Sequence, residues 1–139
     1  MIEFNYETKF QLHNEDAIRD WVCFCVKKEG FRVGELAYIF CDDEYLHKLN
    51  IEFLNHNTFT DIISFDNTLG KIIGGDIFIS IERVKENAKT YNVLFLNELH
   101  RVLIHGVLHF IGYKDKLINE KEEMRSKEND CLNSIESFT

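Results

Sequence analysis

The chain has 139 residues and a formal net charge of −8 at pH 7, and 45% of its residues are hydrophobic and 29% charged. This length favours one domain with a proper core over two, and the acidic balance excludes nonspecific binding of nucleic acid by charge alone, so RNA would require a local basic groove or a partner. Because no apolar run reaches transmembrane length and the N-terminal residues lack a basic region followed by an apolar one, we expect a cytoplasmic protein without membrane association.

The first half of the chain alternates strand and helix patterns. We predict strands over 2–6 and 33–41, and helices over 14–30 and 43–53. Asn14 is a suitable N-cap for the first helix, whose apolar residues recur at helical spacing and place Trp21 in the core. Either Asp42 or Asp43 can cap the second helix.

The second half begins with a predicted loop over 55–60 and continues with two strands and three helices. The strands are predicted over 61–65 and 72–81, and the helices over 82–91, 95–112 and 119–135. Gly74 and Gly75 indicate a bend or bulge in the second of these strands, and alternation over 77–81 indicates that this part is partly exposed. The element order predicts one α+β domain over residues 1–139, with a mixed sheet of about four strands, helices packed on it and a long central helix.

Two histidines lie one turn apart in the predicted helix over 95–112. His105 and His109 are at positions i and i+4, so their rings share one face and can point at a common atom. Gly112 is a natural end for this helix, and the chain can then fold back and bring Asp115 to the same point. Two nitrogens and one carboxylate oxygen would leave a coordination position open, which is typical of a catalytic metal site.

A chance pair is the alternative, because a chain with six histidines often contains an H-x-x-x-H match. The helix is apolar nearly all round, which indicates burial, and buried imidazoles need partners for their nitrogens. A metal ion supplies one partner to both. Gly106 stands where the H-E-x-x-H motif of zinc peptidases has its general base, so a peptidase mechanism is unsupported. We expect this glycine to let another backbone or a substrate approach closely.

Three blocks of sequence carry a family resemblance: TDIISF at 60–65, GDIFIS at 75–80 and HGVLHFIGY at 105–113. With these blocks the chain resembles, over nearly its whole length, the YbeY family of bacterial metal-dependent endoribonucleases. The resemblance implies one zinc ion per chain on the histidine helix and a mixed four-stranded sheet. It also implies action on single-stranded or precursor 16S rRNA, in 3′-end processing and in ribosome maturation and quality control. The implied partner is the ribosome or a ribosomal protein, and DNA is not an expected substrate.

The third metal ligand departs from the family pattern. The family usually continues G-Y-D-H, with the final histidine as a ligand, whereas here Lys114 and Asp115 follow Tyr113. Asp115 is then the third ligand, and a carboxylate is an acceptable one for zinc. Because it lowers the charge at the metal, we expect a bound water to be less acidic than at a three-histidine site.

An arginine of the family is also missing. The family commonly carries it in the loop after the second helix, where it is thought to engage RNA, and Leu54 stands there in this chain. His56 can replace it only weakly, because a histidine is mostly neutral at pH 7.

The leading hypothesis is a zinc-dependent endoribonuclease in which His105, His109 and Asp115 hold the ion and an activated water attacks a phosphodiester. No nearby glutamate in the sequence is placed to act as the base. The candidates for binding substrate phosphate are Arg101, Lys114, Lys116 and His56. The residues predicted to hold turns and strand ends are Asp61, Ser64 and Asp76.

Two alternatives remain open at this point. One is a non-catalytic ribosome-assembly factor whose metal is structural, which the acidic charge and the missing arginine favour. The other is a metal hydrolase of peptide-like substrates that aligns its substrate by strand addition along residues 77–80. The absence of a glutamate beside the first histidine argues against the second alternative.

Overall fold

A four-stranded mixed sheet forms the centre of the structure, a computed structural model that describes residues 1–139. The strands are β1 (Ile2–Tyr6), β2 (Arg32–Cys41), β3 (Ile62–Asp66) and β4 (Ile72–Ser80). They lie side by side in the order β1-β2-β4-β3. β1 and β4 run parallel to β2, and β3 runs antiparallel to β4. The predicted mixed sheet of four strands is therefore confirmed.

Five helices complete the domain and end within a few residues of their predicted bounds. They are α1 (Glu15–Lys28), α2 (Asp43–Leu54), α3 (Ile81–Tyr91), α4 (Phe95–Ile111) and α5 (Ile118–Ser134), followed by a short 3₁₀ helix (Ile135–Ser137). Of the two candidate caps for α2, Asp42 is the one used, and its side chain accepts the backbone N–H of Tyr45 at 2.8 Å. None of the helices has the length and apolar character that crossing a membrane requires. The α+β class of the single domain is confirmed.

Strand β4 lies inside the sheet, between β2 and β3. Its Ile77 and Ile79 are fully buried in the main core, while Phe78 packs on the other face with the smaller cluster beneath α2. The expectation that residues 77–81 are partly exposed therefore holds only for Phe78, which is half-buried, and is wrong for the other four residues. Alternation predicted one solvated face, but helices cover both faces of this strand. Strand addition along 77–80 is also excluded, because it requires a free sheet edge.

The predicted irregularity at the two glycines lies mainly in the partner strand. β4 continues through Gly74 and Gly75, and the register shift falls between Val33 and Leu36 of β2. Gly75 has a φ of 143°, and a Cβ placed there would come within 2.2 Å of the carbonyl oxygen of Phe65. Only glycine allows β3 and β4 to pair so closely at this point.

Helix α4 packs its apolar side against the sheet at the centre of the core. Leu103 is fully buried there, and its carbonyl accepts a hydrogen bond of 2.8 Å from the buried hydroxyl of Tyr38. A Cβ at Gly106 would lie 3.0 Å from the Cδ1 atoms of both Ile62 and Ile77. We expected another backbone or a substrate to approach Gly106 closely; the groups that do so are side chains of the sheet, so this glycine allows close packing of α4 on the sheet.

Candidate metal centre

The C-terminal half of α4 carries His105 and His109 on one side. Their ring centroids are 4.6 Å apart and their planes are nearly perpendicular, at 84°. The helix ends at Gly112, whose φ of 123° favours glycine, and the Gly112 N–H donates to the carbonyl of Leu108. The chain then folds back, which brings Asp115 beside both imidazole rings.

Three potential ligand atoms meet at this point. The Nε2 atoms of His105 and His109 are 3.0 Å apart, and Oδ2 of Asp115 lies 3.1 Å from each of them. A tetrahedral zinc ion with bonds of about 2.0–2.1 Å would hold its ligand atoms about 3.3 Å apart. The side chains are 21%, 29% and 37% exposed in that order, so solvent reaches the group from one side. The three residues therefore fit a zinc ion and leave it accessible.

The hydrogen bonds at the far side of each ring explain why this point suits a cation. Nδ1 of His109 lies 3.0 Å from the backbone carbonyl of Tyr113, and Nδ1 of His105 lies 2.6 Å from a carboxylate oxygen of Glu128. Both partners are acceptors, so each Nδ1 must carry the proton. In the neutral rings both Nε2 atoms are then bare lone pairs, directed at each other and at Asp115. Three acceptors without a donor need a proton or a metal ion between them.

The charges around His105 favour a cation as well. Burial alone would lower the pKa of His105, but the hydrogen bond and charge of Glu128, with the charges of Asp115 and Asp61, outweigh burial and raise it. Burial would raise the pKa of the Glu128 carboxyl, but hydrogen bonds from His105 and Arg101 lower it. The site therefore holds an ionised carboxylate behind an imidazole that readily takes up a proton, and a bound metal would replace that proton.

Glu128 is the residue of this site that the sequence analysis did not find. It lies on α5 and is only 5% exposed. From the sequence, glutamates were considered only as a possible base and only near the histidines along the chain, whereas Glu128 reaches the far side of His105 through the packing of α5 on α4. One signal was available. With Met124 and Cys131 it follows the i, i+4, i+7 spacing of a buried helix face, where a charged residue requires a partner.

A polar pocket of about 270 Å³ opens beside His105, and Asp61 and Glu98 face it. Burial raises the pKa of Asp61, and burial together with the charge of Asp61 raises the pKa of Glu98. Asp61 does hold a strand end, since its carbonyl accepts the N–H of Ser80 at 3.0 Å. Its side chain, however, lines the pocket beside His105 and Asp115, which the sequence analysis did not predict.

The four residues predicted to bind phosphate occupy different positions. Lys114 and Lys116 line a second hollow together with His109 and Asp115. Arg101 lines the polar pocket, but its guanidinium donates to Glu128 at 2.8 Å and to Asn129 at 3.0 Å. His56 follows α2 and lies outside both hollows. Arg125 of α5 is a further cation at the polar pocket that the sequence analysis did not single out.

Comparisons with known proteins agree with this architecture. The family model described as Endoribonuclease YbeY matches residues 2–136. A protein of Flavobacterium johnsoniae named Endoribonuclease YbeY is 60% identical over 132 residues, which cover 95% of each chain. A protein of Christiangramia forsetii with the same name is 54% identical over 131 residues, covering 94% of this chain and 92% of the relative.

One solved structure shares the fold. The solution structure of TM1509 from Thermotoga maritima superposes with a TM-score of 0.68 and 25% sequence identity. The match covers 97% of this chain and 89% of that protein. The similarity therefore extends over the sheet and the helices together.

Proposed function

The chain belongs to the endoribonuclease YbeY family, and on that premise we propose that it is a zinc-dependent endoribonuclease of single-stranded rRNA. The whole of residues 1–139 would form one hydrolase domain with one ion. The substrate would be precursor 16S rRNA, cut during 3′-end processing and in ribosome maturation and quality control in the cytoplasm. Family membership supports the class of activity, and the site supports the use of a metal.

The single observation that carries the proposal is the convergence of three acceptor atoms within 3.1 Å of one another. His105, His109 and Asp115 would hold the ion, because no donor of the protein satisfies their facing lone pairs. The bound ion would supply Lewis acidity toward a phosphodiester oxygen and activate a water molecule. By holding the ion, His105, His109 and Asp115 would fix where the scissile phosphate binds.

Cationic side chains on two sides of the three proposed ligands would bind the phosphates of the RNA backbone. Lys114 and Lys116 line the hollow on the side of His109, and Arg125 lines the polar pocket on the side of His105. Arg101 would contribute less directly, since Glu128 and Asn129 already accept hydrogen bonds from it. The protein has a net charge of −8, and these few cations cannot hold RNA tightly against it. We therefore propose that the ribosome or a ribosomal protein presents the substrate.

A metal-stabilised assembly factor without activity is the second candidate. Leu54 occupies the position of the family arginine and is 42% exposed, which favours a docking role for that surface. Against it, the main core contains 24 buried residues that do not include His105, His109 or Asp115. The fold has ample apolar packing without an ion, which supports a catalytic metal over a structural one.

The experiment is a cleavage assay on a precursor 16S rRNA fragment with an unpaired 3′ extension. We expect cleavage by the purified protein, loss of cleavage with chelator, recovery with added zinc, and loss in His109→Ala. The matched control is His13→Ala, which removes an exposed histidine outside the site. Equal cleavage by wild type and His109→Ala would mean a contaminating nuclease. A protein that unfolds when chelator is added would support the assembly factor with a structural metal.

A further inference from the structure

Glu128 is a buried charge in an otherwise solvated helix. Of the 17 residues of α5, only Met124, Glu128 and Cys131 are buried. A carboxylate at this depth is costly unless each oxygen is paired. Both are, since Oε2 lies 2.6 Å from Nδ1 of His105 and Oε1 accepts from a guanidinium nitrogen of Arg101 at 2.8 Å. The carboxylate therefore bridges two residues of α4 that are one turn apart.

We propose that Glu128 is a positioning residue for the metal group: it holds His105 in the tautomer and orientation that direct Nε2 at the ion. This inference rests on the proposed function, because it assumes that His105 is a ligand. Imidazole exchanges its proton between the two nitrogens, and an acceptor on Nδ1 selects the form with a free Nε2. The carboxylate also increases the basicity of the ring as a ligand.

The two histidines differ in how they are held. His109 donates to the carbonyl of Tyr113, four residues along its own segment. His105 depends on a side chain 23 residues away, on another helix. Local chain geometry therefore fixes one ligand, while the packing of α5 on α4 fixes the other. Of the two histidines, only His105 should therefore make metal affinity depend on the position of α5.

Arg101 holds the carboxylate in place. Its second terminal nitrogen donates to Oδ1 of Asn129 at 3.0 Å, so the guanidinium contacts two successive residues of α5. The side chains of Arg101 and Glu128 are 23% and 6% exposed, which shields their ion pair from solvent. Because Arg101 contacts both Glu128 and Asn129, it restricts movement of the Glu128 carboxylate relative to α4.

The test measures zinc affinity by competition with a chromophoric chelator, without any RNA. Glu128→Gln keeps the shape of the side chain but replaces one carboxylate oxygen with an NH2 donor, so it cannot accept at both positions that now face His105 and Arg101. We expect zinc affinity to fall about 10–100-fold, as is typical when an outer-shell partner is lost. The matched control is Glu98→Gln, which neutralises a carboxylate of similar burial, 6% exposed, in the same pocket. Glu98 makes no hydrogen bond or ion pair with either histidine, and its variant should lose much less affinity.

A second readout separates positioning from mere stability. In the zinc-free protein, at a pH where both rings are neutral, ¹⁵N NMR reports which nitrogen of each histidine carries the proton. In wild type we expect the Nδ1–H form for His105 and His109. Glu128→Gln should weaken that preference at His105 and leave His109 unchanged. A variant that only loosened α5 would lower the unfolding temperature without this selective change.

The outcomes are distinct. Wild-type zinc affinity and an unchanged His105 tautomer in a folded Glu128→Gln variant would overturn the inference, whatever its stability. If that variant does not fold, Glu128→Asp keeps the charge on a shorter side chain, and zinc affinity equal to wild type there would overturn it as well. If wild type itself binds no zinc, the proposed function fails and not this inference alone.

Discussion

The two sides of α4 differ in what holds them. On the side facing the sheet, Leu103 is fully buried, and a Cβ at Gly106 would lie 3.0 Å from side chains of two isoleucines. On the side of α5, Arg101, His105 and Glu128 make charged hydrogen bonds in a partly open pocket. The packing that stabilises α4 and the groups that carry its chemistry therefore lie on opposite sides of one helix, so mutations should affect them separately.

Leu103→Ala, on the sheet side of α4, is expected to give the largest loss of stability without a loss of zinc binding. Removing a fully buried leucine should lower the free energy of unfolding by about 2–5 kcal/mol. Urea denaturation of the zinc-free protein measures this loss, and Leu117→Ala, at a residue 61% exposed, is the control with little change. The folded Leu103→Ala protein should bind zinc as wild type does. A parallel loss of zinc affinity would contradict the separation.

Asp115→Asn makes the reverse test on the polar side. The amide keeps the shape of the side chain but is a poor zinc ligand, so we expect zinc affinity and rRNA cleavage each to fall about a hundredfold or more. The free energy of unfolding without zinc should change by less than about 1 kcal/mol, since the side chain is partly exposed. Asp130→Asn, on the exposed side of α5, is the matched control. Unchanged zinc affinity in Asp115→Asn would remove Asp115 from the ligand set.

A smaller loss of stability is expected from substitutions at Gly106, which lies between His105 and His109 in the sequence but faces the sheet. Gly106→Val should destabilise the fold by about 1–3 kcal/mol, because its added atoms would crowd Ile62 and Ile77. Gly106→Ala should cost less, since the gain in helix propensity offsets about 1 kcal/mol. Thermal unfolding ranks the two variants. A stable Gly106→Val protein would show that this side of α4 is not tightly packed.

The smallest effect concerns the charge on Glu98. Burial, with the neighbouring charge of Asp61, raises the pKa of Glu98, so the folded state favours the protonated form. Its contribution to stability is present below the pKa of the unfolded chain and is lost as pH rises through the raised value. Glu98→Gln should therefore stabilise the zinc-free protein at pH 7, by less than about 1 kcal/mol, and have no effect below about pH 4. A variant that destabilises at pH 7 would contradict this sign.

Local patterns in the sequence predicted much of the fold and part of the site. The i, i+4 spacing of His105 and His109 and the helix end at Gly112 are properties of one segment, and so is the return of Asp115. Helical periodicity and the glycine at the helix end are both readable in this segment, which is why the predicted bounds of α4 agree with the structure.

What the sequence analysis missed depends on contacts between distant segments. Alternation in β4 could not show that the strand lies between two others, because strand order is a property of the whole sheet. Glu128 belongs to the site only through the packing of α5 on α4, and Asp61 only through the place of β3 at the sheet edge. When a side chain reaches a site from a distant element, the sequence around that residue contains little that indicates its role.

Anomalous diffraction at the zinc edge, from crystals grown with zinc, would locate the ion directly. We expect one strong peak per chain, about 2.0–2.1 Å from Nε2 of His105, Nε2 of His109 and a carboxylate oxygen of Asp115. Glu128 should remain hydrogen-bonded to Nδ1 of His105. A peak elsewhere, or no peak while the two rings turn to separate protein partners, would show that these three residues do not form a zinc site.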